Sequence, residues 1–150
     1  ARVRPLTPMQ MAVSLRLATT DQQSLASNAA ELEKRLDALE KNAEGLARYF
    51  PQPGDNFQVS VGEAMTFANN ESLQKELLDG TGNLTKVLMK ERDSAKRAEL
   101  AIRNVLCRPA RGEESQAIVA YLLQRQDRAD AACQQVIWAL LTSAEFRFNH

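Results

Sequence analysis

The chain has 150 residues, enough for one domain whose core needs neither a metal nor a disulfide to hold it. Lys and Arg number 19 and Asp and Glu 19, so the formal net charge is zero, which argues against a generic nucleic-acid or anionic-membrane binder, both of which carry a basic excess. No apolar run approaches the roughly 18 residues of a membrane span, and plentiful Ala, Leu, Glu, Gln and Arg with few aromatic residues describe an all-helical domain.

Ala1 to Pro5 reads as the cut edge of a longer protein, so a missing leader says nothing about destination. Thr7-Pro8-Met9-Gln10 then starts a helix with three agreeing signals: a hydroxyl cap, Pro at the first helical position, and Gln10 closing a capping box. Its apolar face carries Met11, Leu15 and Ala18, and the pattern breaks at Thr19-Thr20-Asp21. The next helix is the longest, roughly Ser24 to Phe50. Leu25, Leu32, Leu39 and Leu46 recur at heptad spacing, with Ala29, Leu36, Ala43 and Phe50 four residues after each. That seam has two readings: a coiled-coil dimerisation arm over residues 25–50, or a long helix lying along its own bundle. Gly45 and the small alanines weaken a free-standing zipper.

Pro51-Gln-Pro53-Gly-Asp-Asn56 is the strongest loop signal, and the 51–56 loop is the one place for an internal boundary. Phe57 and Val59 are expected to plug back into the core. Ser60 to Glu63 reads as a capping box for a short helix with Ala64, Met65, Phe67 and Ala68 inside. Asn70 caps a piece from Glu71 to Asp79, with Gly80 as its stop. After a turn at Thr81-Gly82-Asn83, Leu84, Val87 and Leu88 mark a helix to about Arg92. Asp93-Ser94 caps the next, whose face is Ala98, Ala101, Ile102 and Val105, ending at Arg108-Pro109. A helix from Gly112 carries Ile118, Val119, Leu122 and Leu123, with Tyr121 beside them. Gln126-Asp127-Arg128 connects it to the last helix, where Cys133, Val136, Ile137, Leu140 and Leu141 form one stripe beside Trp138. A hydroxyl at Thr142-Ser143 caps a final turn with Phe146 and Phe148. The expected fold is an all-α bundle of about seven or eight helices in a single domain, 1–150, with residues 94–150 as a C-terminal three-helix antiparallel unit.

Chemistry-bearing residues are sparse. His150, the single histidine, is a poor anchor for a nucleophilic site. Cys107 and Cys133 lack a C-x-x-C arrangement. They read as buried free thiols in apolar helices, with a Cys107–Cys133 disulfide as the other reading. Glu31, Glu33, Glu40 and Glu44 look like surface partners at helical spacing. Asn70-Glu-Ser72 and Asn83-Leu-Thr85 match glycosylation sequons but read as caps and turns. Arg103, Arg108 and Arg111 form a basic cluster, either a solvated helix end or a receiver for a carboxylate from a neighbouring domain. No catalytic, cofactor-binding or metal-binding residue is assigned, no cofactor is expected, and no small-molecule ligand is identifiable.

Four stretches carry a resemblance: Leu6 to Gln10, Phe57 to Asn69, Val105-Leu-Cys-Arg-Pro109, and Trp138 to His150. Together they resemble the C-terminal domain of unknown function of large planctomycete proteins, where it follows a cytochrome-c-type module and a second domain of unknown function. The likeness covers essentially the whole chain, and its ending is the most specific part. Arg111-Gly112 departs from it, since a Thr or Ser usually opens the helix after Arg-Pro. The resemblance implies the C-terminal fragment of a large exported bacterial protein, periplasmic or on the cell surface. It implies no catalytic residue, and the haem motif of the upstream module is absent, so no haem is assigned. The expected role is a non-catalytic structural or interaction module packing on upstream domains of the same polypeptide. An accessory domain of an enzyme acting on extracellular polysaccharide, and a homodimer through residues 25–50, are the alternatives.

Overall fold

A computed structural model describes residues 6–22, 28–52, 65 and 67–148. Among these residues every regular element is a helix, and the one extended contact is an isolated antiparallel bridge between Thr20 and Asn83. The expectations for Leu25, for the Ser60–Glu63 capping box, for Phe57 and Val59, for most of the 51–56 loop and for His150 fall outside the described residues.

The first helix, α1 (Pro8–Thr19), begins with the expected capping box. Thr7 Oγ1 accepts from the Gln10 N–H at 3.2 Å, and Gln10 Oε1 accepts from the Thr7 N–H at 2.9 Å. Ala12, Leu15 and Ala18 are buried. At its other end Asn104 donates from Nδ2 to the carbonyls of Ala18 (3.0 Å) and Thr20 (3.1 Å), which have no partner within the helix.

The second helix, α2 (Ala29–Ala47), starts at Asn28, whose Oδ1 accepts from the Glu31 N–H at 2.9 Å. It stops before the expected Phe50. Tyr49 and Phe50 donate to the carbonyls of Leu46 and Ala47, bonds that tighten the last turn, and Pro51 bars its predecessor from continuing a helix. The packing partner of α2 is α1. Only the C-terminal end of its seam, Ala43 and Leu46, enters the core, while Leu36 is 40% exposed.

Residues 65, 67 and 68 are helical. Met65, expected inside, is exposed, because on a helix it lies almost opposite Phe67, which is buried. Next come α3 (Glu71–Leu78), capped by Asn70 Oδ1 on the Leu73 N–H at 3.0 Å, and α4 (Leu84–Lys90). Helix α3 closes at Asp79, directly before Gly80 as expected, and the left-handed conformation belongs to Gly82 (φ +73°), in the turn leading to α4. The α3 terminus is closed by side chains. Asn83 Nδ2 and Thr85 Oγ1, both buried, donate to the Leu78 carbonyl at 2.5 and 3.1 Å, while Asn83 Oδ1 accepts from the Lys86 N–H at 3.3 Å. One side chain thus ends one helix and begins another.

Asp93 starts α5 (Ser94–Leu106), accepting from the N–H groups of Ala95 and Lys96. It buries Ala98, Ala101, Ile102, Val105 and Leu106. Then follow α6 (Gly112–Gln124), a 3₁₀ turn (Gln126–Arg128), α7 (Ala129–Leu141) and α8 (Ala144–Phe148). Leu123, expected on the inner face of α6, is 51% exposed; Leu122 is the fully buried residue of this edge helix. The centre of the molecule is α7, with Ala132, Cys133, Val136, Ile137, Leu140 and Leu141 buried. Helices α5, α6 and α7 touch one another pairwise, but α4 also packs on α7 and α1 on α5, so the C-terminal helices share their core with the N-terminal half. Among the described residues no helix is long and apolar enough to cross a membrane.

Candidate functional site

The densest polar cluster forms where α5 ends. Cys107 takes the left-handed conformation (φ 54°, ψ 30°), and its N–H donates to the Arg103 carbonyl at 3.0 Å. That reversal breaks the helix in one residue and swings Arg108 away from the α5 axis. Arg108 Nη1 donates to Glu114 Oε2 at 2.9 Å and to the Pro109 carbonyl at 3.0 Å. Its Nη2 donates to Glu114 Oε1 at 3.0 Å and to Glu145 Oε2 at 2.8 Å, and its Nε donates to Glu145 Oε1. All five guanidinium N–H groups are therefore used, in two forked pairs that join the α5–α6 loop to the starts of α6 and α8.

Glu145 stands in the first turn of α8, where Ser143 Oγ caps the helix on the Phe146 N–H at 3.2 Å. Glu114 is fixed from below by α6. Its Oε2 also accepts from the Arg111 N–H at 3.4 Å, the return half of a capping box whose forward half Arg111 cannot supply, having no acceptor on its side chain. The loop is tied from the other side as well. Glu99 accepts from the Ala110 N–H at 3.0 Å and from Arg103 Nε.

These bonds set the titration of the acids. The Arg108 hydrogen bond holds the Glu114 carboxyl below the usual range, helped by the Arg111 N–H and opposed by partial burial. Glu145 is lowered chiefly by Arg108 too. Glu99 is lowered first by the Ala110 N–H and then by Arg103. Arg108 is raised further above its already high value, first by Glu145 and then by Glu114.

Of the expected basic cluster, Arg103 and Arg108 are thus neutralised within the chain and do not present a free cationic surface. The cysteines separate. Cys107 is exposed and sits at a helix cap, while Cys133 is buried in α7 with its thiol pushed up by burial. Both are free, which overturns the disulfide and the expectation of two buried thiols. Both sequon asparagines are helix caps. Glu31 pairs with Arg35 at 3.1 Å, one turn along α2. Among the described residues no group of three or more His, Cys, Asp or Glu is arranged to hold a metal ion.

A second cluster is aromatic. Trp138 stacks on Phe67 with centroids 5.4 Å apart, and its Nε1 donates to the Ala68 carbonyl at 2.9 Å. Phe67 meets Phe50 at 5.6 Å, and the Arg147 guanidinium lies 5.7 Å from the Phe67 ring centre. Two grooves adjoin these clusters. One, of about 380 Å³, lies between α1, α5 and α8 and is mostly apolar, with Leu6, Leu17, Leu106, Cys107 and Phe146 in its wall. The other, of about 290 Å³, opens between α3 and α7 beside Trp138, where Gln134 Nε2 bridges to Asp79 Oδ1 at 2.8 Å.

No family model, curated protein or solved structure matches this chain. The geometry therefore stands by itself. It joins residues that sequence reading had treated separately: Arg108 with Glu145, 37 positions apart, and Phe67 with Trp138. The signal for the first pair was two carboxylates at helix starts flanking an arginine, which is too common a pattern to single out.

Proposed function

We propose that the chain is a non-catalytic structural and interaction module, the C-terminal domain of a large exported protein of the planctomycete type. Its task is to pack on the upstream domains of the same polypeptide. What supports this is the use made of the residues that carry the resemblance. Thr7 and Gln10 cap α1, Phe67 and Ala68 seat Trp138, and Arg108 clamps Glu145. These side chains close helix ends or join one segment to another, which is what an architectural module requires. The docking surface in this reading is the apolar groove between α1, α5 and α8, whose wall includes Leu6, Leu17 and Phe146.

Calorimetric titration of this chain into the separately expressed upstream domains tests the reading. Saturable binding is expected, weakened about tenfold or more by Leu17→Arg. Leu17 lines the groove, and circular dichroism checks that the variant keeps its fold. Absence of binding to those domains, or binding indifferent to Leu17→Arg, would overturn the proposal.

A further inference from the structure

Helices α3 and α7 leave between them the groove of about 290 Å³, a volume at the lower end for small-molecule sites. Its α3 wall carries Glu71, Lys75 and Asp79 at i, i+4 and i+8, one row on a helix. Its α7 wall runs from Ala131 to Trp138, about 10 Å of helix, with Gln134 and Gln135 between them. Gln74 Nε2 and Trp138 Nε1 both donate to the Ala68 carbonyl, at 3.1 and 2.9 Å, which joins the walls at one end. The Gln134–Asp79 bond crosses toward the other. These bonds leave much polar capacity unused. Gln135 gives its Oε1 to the Tyr121 hydroxyl and keeps both of its N–H groups. Gln74 and Gln134 keep their Oε1 atoms, and Asp79 keeps its Oδ2. Among the described residues, the side chains of Glu71 and Lys75 make no hydrogen bond or ion pair.

We propose that this groove binds a short segment of neutral saccharide, with Trp138 as the platform and the amides and carboxylates as the grip on its hydroxyls. Two observations select that chemistry. The first is the ring. Trp138 gives its N–H to Ala68 and one face to Phe67, so what it offers the groove is carbon surface already held in place. A sugar ring has a face of C–H groups that packs on such a surface, and a platform fixed beforehand needs no ordering on binding. The second is the mixture of donors and acceptors. Each sugar hydroxyl both donates and accepts, and the groove sets the free acceptors of Glu71, Gln74 and Asp79 beside the free donors of Lys75 and Gln135. Other ligand classes fit less well. Two carboxylates against one ammonium disfavour a phosphate or a uronate. An amine would meet Lys75, which stands between the two carboxylates in their row. A peptide anchored by its side chains needs apolar pockets, and the apolar lining here is Ala131, Leu78 and one ring. The groove lies apart from the one between α1, α5 and α8, so the inference does not rest on docking there.

Trp138 is the single tryptophan, so its fluorescence reads the site directly. The test is titration of the 150-residue chain with cellobiose, maltose, xylobiose and chitobiose, each to about 50 mM, a ceiling at which even millimolar affinity saturates. At least one sugar is expected to give a saturable change in emission, unaltered by about 0.5 M sodium chloride because the ligand is neutral. Gln134→Ala should weaken that binding about fivefold or more. Lys75→Ala, at an exposed side chain without a partner in the fold, should do the same at an unchanged melting temperature. Triglycine and choline should leave the emission as it is. No saturable change with any of the four sugars overturns the inference, as does a change that both variants leave intact. A response to triglycine or choline stronger than to the sugars also overturns it, and gives the groove to a peptide or a cation instead. Should Gln134→Ala fail to fold, Lys75→Ala decides alone.

Discussion

Cys107 and Arg108 are neighbours with one purpose. A left-handed residue at the end of α5 turns the backbone so that the guanidinium meets Glu114 and Glu145 at once. A side chain at φ 54° carries a steric cost that glycine does not. Cys107→Gly is therefore expected to raise stability by about 1 kcal/mol in urea denaturation, the gain in the folded state exceeding the added freedom of the unfolded chain. A loss would mean that the thiol's contacts in the groove outweigh the relief. Arg108→Lys should lower stability by about 1 kcal/mol, because an ammonium has three donors and cannot form either fork. An unchanged urea midpoint would show that the clamp contributes nothing beyond what solvent offers.

At the scale of elements, caps and stripes were legible while partners were not. Thr7, Asn70 and Asp93 were read as helix starts because a cap is local: the side chain bonds backbone within three residues of itself. The α7 stripe was legible because burial on one helical face leaves a period. The heptad of α2 showed a seam but could not show that its two ends have different neighbours. Leu123 failed because α6 is an edge helix, and its pattern is apolar on more sides than the core covers. Trp138 joins three segments through its ring and its N–H, and packing of that kind leaves no spacing in the chain. Trp138→Ala should cost about 3 kcal/mol, at the lower end for a large aromatic because the ring is only half-buried. Trp138→Phe should cost about 1 kcal/mol, for the lost bond to Ala68, if the stack on Phe67 survives. Melting of Trp138→Phe at the wild-type temperature would deny the hydrogen bond its role.

For the whole molecule, the acid limb of stability follows from the clamp. Glu99, Glu114 and Glu145 have carboxyls lowered by the fold. A group lowered in the folded state contributes fully above its unfolded value, near pH 4.3 for Glu, and loses that contribution as pH falls through its folded value. The melting temperature should thus hold steady near neutrality and fall below about pH 4. In Arg108→Gln that fall should be shallower, since the main cause of two of the three shifts is gone; parallel profiles would remove Arg108 from the account. The attachment of α2 has a separate consequence. The first turns of α2, ahead of the buried Ala43 and Leu46, are expected to open without disturbing α7, which would give the molecule at least two tiers of cooperativity. Amide protons between Ala29 and Glu40 should exchange with deuterium through local opening, at rates indifferent to mild denaturant, while those of Ile137 and Leu141 wait for global unfolding.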